Sequence, residues 1–391
     1  MKLSLAMMVK NEAETMGRVI ENIREVVDEV VICVDDQADE LTWKSAEMYA
    51  DKLYKFTWRN DFSYARNNVI SKCTGDWVMI LDGHDLLVRE CSIPIIQEIK
   101  RNPPDVDAIS GYMYLNCDEN GVPELFYPQV RMIRRGFAWF VNPVHNVIDV
   151  ARDRQMFYPQ IVVKHIPSVD RMQARRLQRV EMNADVLKAN LRRDKKDLRS
   201  MLYLGNTYGD YPDHYKKAKG CFTAYLKVSK GMGGRGSFIN AERYEACLAL
   251  AQIYVGEKKF DESRKYALAA LDNIWNRREA YCLLGDLALM QDFKDEALFW
   301  YQAALWIKTP VLPTFLHGAI YSYAPHWQCA KLYAEMGQLD VALHHVTECL
   351  RFKPREPQFL NARKELEKVM AASNGGQQQV PESKSLLTAV S

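Results

Sequence analysis

The chain has 391 residues, enough for two domains with separate cores. Hydrophobic residues at 48% and charged residues at 26% are ordinary for a globular protein, and no run of about 18 apolar residues offers a membrane span. A net charge of +2 excludes a global field drawing in nucleic acid, while local basic patches stay open. The nine cysteines are scattered without a CxxC pair. That argues against zinc or a disulfide framework and fits a reducing cytoplasm. The first residues are too short and polar-flanked an apolar stretch for a signal peptide.

Residues 3 to 9 read as a buried strand that stops at Lys10, Asn11 and Glu12. Met16, Val19, Ile20, Ile23 and Val27 then recur at helical steps. Residues 30 to 34 form a second apolar strand ending on Asp35 and Asp36, and a helix over residues 42 to 50 leads to a third strand at 52 to 56. Residues 58 to 67 open another helix, with Arg66 and Asn67 expected near its start. Trp77 to Leu81 are apolar without alternation, as in a strand covered on both faces. Strand, helix and strand at this spacing predict βαβ units and a mainly parallel sheet.

Asp82, Gly83, His84 and Asp85 follow the fourth strand directly. Ligands bind at the carboxyl ends of strands in open α/β sheets, and an Asp-x-His pair there can hold Mn²⁺ or Mg²⁺ against a diphosphate. A polar turn with Asp85 as a helix N-cap is the competing reading.

Four segments occur in order: Met8-Val-Lys-Asn-Glu12, Val31-Ile-Cys-Val-Asp35, Trp58-Arg-Asn-Asp-Phe-Ser-Tyr-Ala-Arg-Asn67 and Asp76-Trp-Val-Met-Ile-Leu-Asp82. Together they resemble the family-2 glycosyltransferases of the GT-A fold, in particular the branch with a helical repeat domain that glycosylates bacteriocin peptides. The resemblance is close over residues 1 to 170 and architectural beyond. It implies an inverting transfer from a nucleoside-diphosphate sugar, with UDP as the expected nucleotide. Asp35, Arg66, Asn67 and Asp82 would hold the donor, and Asp82, His84 and His145 the metal. The metal motif departs from the family's usual Asp-x-Asp, with His84 in the second place.

Residues 126 to 145 resemble the family segment that ends in Val-His-Glu, with Asn146 replacing the Glu. His145 is therefore a candidate for the metal shell or for the acceptor's base, with a structural role as the alternative. Asp85 is the second base candidate. His165, at an expected strand end, reads as structural or as a further ligand.

Arg171, Arg175, Arg176 and Arg179 begin a basic helix running to about residue 200. It is a solvated face or a nucleic-acid contact. From residue 201 to 371 the chain repeats. Gly205, Ala251, Gly285 and Ala330 are followed 12 or 13 residues later by Ala218, Ser263, Ala297 and Ala342, and 8 further on by Leu226, Leu271, Leu305 and Leu350. The leucines are 45, 34 and 45 apart, which predicts four tetratricopeptide-like (TPR) helix pairs with two 11-residue insertions. The insertion at 229 to 240 reads as a flexible loop, and residues 372 to 391 as a disordered tail.

The chain is thus read as a GT-A α/β domain at 1–170, a linking helix at 171–200 and an all-α repeat domain at 201–371. The repeats would present a macromolecular acceptor or form a homodimer. A peptide or protein side chain is the favoured acceptor. A modified, hydroxymethylated nucleic-acid base, a glycan, and a non-catalytic scaffold with a decayed transferase domain are the competing readings.

Overall fold

The computed structural model describes residues 1–59, 61–143, 146–166, 181, 183–209, 211–233, 237–311 and 314–374. It divides into two compact units, Met1–Cys117 with Leu125–Met172, and Asp118–Glu124 with Gln173–Ser391. The boundary read at residue 170 and the basic run Arg171, Arg175, Arg176 and Arg179 lie outside the described residues, as do the tail beyond residue 374 and His145.

The first unit opens β1 (Leu3–Val9), α1 (Ala13–Ile23), β2 (Glu29–Asp35), α2 (Glu40–Tyr49), β3 (Lys52–Phe56), α3 (Phe62–Ile70) and β4 (Trp77–Ile80). It continues through β5 (Asp85–Leu87), α4 (Arg89–Arg101), β6 (Ala108–Cys117), β7 (Pro123–Arg134), the small ribbon β8 (Trp139–Val141) and β9 (Val147–Asp149), and β10 (Gln155–His165). The main sheet runs β3-β2-β1-β4-β7-β6-β10-β5. The first four in that order are parallel, β7 is antiparallel to β4, and β5 is antiparallel to β10, so the sheet is mixed.

The inner parallel strands β1, β2 and β4 are apolar on both faces because helices cover both, while the edge strand β3 carries Lys52 and Lys55 and buries only Phe56. Leu3, Leu5, Met7, Val30, Ile32 and Val34 pack with Met16, Ile20 and Ile23 of α1 and Ile96 and Ile99 of α4. Their alternating neighbours Ala6, Val31, Cys33, Val78 and Ile80 pack with Ala65, Val69 and Ile70 of α3. Continuous burial replaces the in-out pattern of a half-exposed sheet.

Two local expectations are corrected. Helix α3 starts at Phe62, where the side chain of Asp61 accepts from the Tyr64 N–H at 2.9 Å, so Arg66 and Asn67 sit in its middle and gain nothing from a helix terminus. Asp85 caps no helix. It begins β5, and α4 starts four residues later.

The second unit is helical, with a helical run over 183–193 and then α5 (Leu198–Gly209), α6 (Tyr215–Val228), α7 (Phe238–Gly256), α8 (Phe260–Asn273), α9 (Arg278–Met290), α10 (Lys294–Trp306), α11 (Ala324–Glu335), α12 (Leu339–Phe352) and α13 (Pro357–Asn374). The four expected pairs are α5/α6, α7/α8, α9/α10 and α11/α12. Ala218, Ser263, Ala297 and Ala342 are fully buried where the paired helices meet. A Cβ on Gly205 would lie 2.6 Å from the Phe222 ring, and one on Gly285 2.8 Å from Tyr301. Small residues there admit a large aromatic from the partner helix. Among the described residues, no helix is long and apolar enough to cross a membrane.

Candidate functional site

Polar residues gather at the carboxyl ends of the parallel strands. Asp35 closes β2 and is 1% exposed. One of its oxygens accepts from the Gln37 N–H at 2.8 Å, and the other lies 3.5 Å from the ammonium of Lys10, the first residue after β1. After β4, both oxygens of Asp82 accept from Nη2 of Arg66, at 3.2 and 3.0 Å. The Arg66 guanidinium lies 5.1 Å from the centre of the Phe140 ring. The Asn67 amide donates to and accepts from the Phe140 backbone at 2.8 Å each. These bonds pin β8 to α3 and leave one amide N–H and one oxygen lone pair of Asn67 without a use in that pairing.

A second cluster adjoins Asp82. The Nδ1 of His84 lies 3.3 Å from Oε2 of Glu12, and Nδ1 of His165 lies 3.0 Å from Oδ1 of Asp85. The register of β10 on β5 sets His165 opposite Asp85, and the two imidazole rings meet edge to face at 4.4 Å. Asp85 is 0% exposed, and its other oxygen accepts from Arg131 at 3.1 Å and from the Asp82 N–H at 3.3 Å. Burial alone would raise its pKa. The Arg131 charge and His165 outweigh burial and hold the carboxyl well below the usual carboxylate range. A fully buried, firmly ionised carboxylate is an anchor, so the structure does not place Asp85 as a base for an acceptor. His84 moves the other way. Burial opposes its charged form, yet the Glu12 hydrogen bond and the charges of Glu12, Asp82 and Asp85 prevail and raise its pKa.

Residues 4–157 match the family model for glycosyl transferase family 2. The N-terminal unit carries a family-2 glycosyltransferase domain. An uncharacterized glycosyltransferase of Rickettsia felis is 26% identical over 149 residues, covering 37% of this chain and 52% of that protein. The SPbeta prophage-derived glycosyltransferase SunS of Bacillus subtilis is 26% identical over 89 residues, 22% of this chain and 21% of its own. A TPR repeat-containing protein of Synechococcus elongatus is 36% identical over 150 residues, 38% of this chain and 36% of the relative. The chain therefore spans about a fifth to a half of the length of these curated relatives. Among solved structures, the TPR protein YrrB aligns at TM-score 0.38 and 14% identity, over 53% of this chain and 93% of that one. Glucosyl-3-phosphoglycerate synthase of Mycobacterium tuberculosis aligns at TM-score 0.25 and 15% identity, over 29% and 43%.

Within the glycosyltransferase domain, the structure brings Arg66 to Asp82, and His84 to Asp85 and His165. Asp35 is linked to them through the loop after β1, where Lys10 meets Asp35 and Glu12 meets His84. The family implies a divalent cation. His84, Asp85 and His165 each offer one ligand atom, all within 4.8 Å of one another, and imidazole nitrogens with a carboxylate oxygen suit Mn²⁺. Among the described residues, this group has His84 in common with the set read from the sequence; Asp82 lies beside it in an ion pair with Arg66, and His165 joins by the register of β10 on β5. Glu12 and Arg131 were missed as site residues. Glu12 stands in the first family segment, three residues past a strand end, and Arg131 in the segment beginning at Phe126, but neither segment shows from sequence which histidine or carboxylate the residue meets.

Proposed function

We propose that this protein transfers a sugar from a nucleoside-diphosphate sugar, with UDP as the nucleotide, to a macromolecular acceptor, with inversion at the anomeric carbon. The observation that carries this reading is the meeting of Asp35, Arg66, Asp82 and His84 at the strand ends of a family-2 domain. One carboxylate oxygen of Asp35 lies 3.5 Å from the Lys10 ammonium, and that oxygen would accept from a base N–H or a ribose hydroxyl. Arg66, already aligned by Asp82, would meet diphosphate oxygens. In the transfer, an acceptor oxygen or sulfur bonds to the anomeric carbon as the bond to the diphosphate oxygen breaks. The acceptor's proton passes to a base, for which His145 is the remaining candidate. A Mn²⁺ or Mg²⁺ ion held by His84 with Asp82, His145 or His165 would neutralise the departing diphosphate.

The helical unit is assigned the acceptor. A small sugar needs no solenoid, and the bacteriocin-enzyme resemblance favours a peptide or protein side chain over a modified nucleic-acid base. Hydrolysis across a panel of nucleotide sugars, with Mn²⁺ and with chelator, tests the reading. Turnover of a UDP-sugar that chelation stops supports it, and no turnover of any donor makes the chain a scaffold. Binding of plain duplex DNA that falls steeply with salt and vanishes when Arg171, Arg175, Arg176 and Arg179 become alanine would shift the acceptor to nucleic acid.

A further inference from the structure

His84, from the turn between β4 and β5, and His165, at the end of β10, bring their rings within 4.4 Å of each other, and each arrives with its own carboxylate. Glu12 lies at Nδ1 of His84 and Asp85 at Nδ1 of His165. A carboxylate only accepts, so in the neutral imidazole the Nδ1 carries the proton and the lone pair is on Nε2. Among the described residues, no hydrogen-bond partner meets Nε2 of either ring, and each side chain is about a quarter exposed. Histidines serving only the fold would have little reason to keep a nitrogen unused beside a second imidazole.

Both carboxylates are themselves held. Oε2 of Glu12 accepts from the Thr15 hydroxyl at 3.2 Å, and the Glu12 N–H donates to the Thr42 hydroxyl at 3.0 Å. The turn between Asp82 and His84 packs onto the Glu12 side chain. A Cβ on Gly83 would come within 3.0 Å of Glu12 Cβ. Asp85 is fixed by Arg131 and by the Asp82 N–H, while the Ile166 N–H donates to the His84 carbonyl at 2.9 Å. Five separate segments of the domain thus converge on the orientation of two rings.

We propose that Glu12 and Asp85 are positioning residues that fix the tautomer and orientation of His84 and His165, so that two Nε2 atoms serve together as ligands of one divalent cation. The inference rests on the metal-dependent reading above and adds to it the two carboxylates behind the ligands. Such carboxylates tune affinity by about 10- to 100-fold in metal sites generally. Asp85→Asn carries a specific expectation. The amide oxygen must face Arg131, which only donates, so the amide NH₂ faces His165, and Nδ1 becomes the acceptor. Nε2 then carries the proton and is lost as a ligand.

The test is Mn²⁺ affinity of the full chain, read from the paramagnetic resonance of free Mn²⁺. It is paired with ¹⁵N spectra of the imidazoles in the metal-free protein at alkaline pH. Wild type should show both histidines protonated at Nδ1. Glu12→Ala should let His84 sample both tautomers, Asp85→Asn should move the His165 proton to Nε2, and each should weaken Mn²⁺ binding by about 10- to 100-fold. A folding role alone could move the tautomer but would leave the Mn²⁺ affinity unchanged. Wild-type Mn²⁺ affinity in both variants overturns this inference and leaves the proposed transfer standing. Absence of Mn²⁺ binding by the wild type itself removes metal dependence, and this inference with it. If Asp85→Asn fails to fold, Glu12→Ala decides, since its side chain is partly exposed.

Discussion

Glu29 gathers four donors at the end of the sheet opposite the site. The Ser4 hydroxyl donates at 2.5 Å, the Thr74 N–H at 2.8 Å, the Thr74 hydroxyl at 2.9 Å and the Lys52 ammonium at 2.6 Å. The residue is 5% exposed. Burial would raise its pKa, but the bonds from Lys52, Ser4 and Thr74 win and lower it from 4.5 to about 2. Each pKa unit is worth about 1.4 kcal/mol, so the full shift corresponds to about 3 kcal/mol. Lys52 is partly exposed, and screening reduces this to about 2 kcal/mol. A depressed carboxylate pKa stabilises above the unfolded value, so the contribution is complete above pH 4.5 and fades as pH falls towards about 2. Glu29→Gln removes it, because the amide offers one acceptor and turns an NH₂ towards groups that themselves donate. Urea unfolding of the first unit should show the variant weaker by about 2 kcal/mol near neutrality, with the gap closing as acid is added. A gap that stays constant through that range, or none at neutrality, refutes the reasoning.

Three further outcomes follow from other parts of the structure. Burial first, then the charges of His326 and His344, lower the His345 pKa to about 4. Stability carried by the neutral ring is lost as pH falls from 6.5 towards 4. His345→Gln should flatten that acid loss, about 2–3 kcal/mol, in far-ultraviolet unfolding curves of the helical unit. Gly285→Ala should lower stability to urea by about 1–3 kcal/mol despite alanine's better helix propensity, because the new Cβ meets the Tyr301 ring; a more stable variant would contradict this packing. Asp35→Ala should weaken UDP binding by about 1–3 kcal/mol, and wild-type affinity by calorimetry would remove Asp35 from the donor site.

Local pattern carried the parallel half of the first unit well. The strand at 52–56 was legible to the residue, because it fills the short gap between the end of one helical period and the Trp58 segment that opens the next. The repeats were legible for a similar reason, since a small residue must recur wherever paired helices approach. The antiparallel half was not. His165 reaches Asp85 across 80 positions, through the pairing of β10 with β5, and Arg131 reaches it across 46. Such contacts are set by topology, which no window of sequence contains. Asn67 has a structural use that the sequence did not announce, since its amide holds the Phe140 backbone across 73 positions. Arg66 kept its expected partner region but lost the helix terminus, because Asp61 moved the cap to the residue before Phe62.

The central claim is that the cluster after β4 supports turnover of a nucleotide sugar through a divalent cation. The most direct measurement is hydrolysis of the best donor by wild type, Asp82→Ala and His84→Ala, with Mn²⁺ and after chelation, alongside circular dichroism of each protein. Both side chains are about a quarter exposed, so the variants should keep the fold. The account predicts Mn²⁺-dependent turnover by the wild type and its loss in both variants. Undiminished turnover by either variant, or by the wild type in chelator, would contradict it.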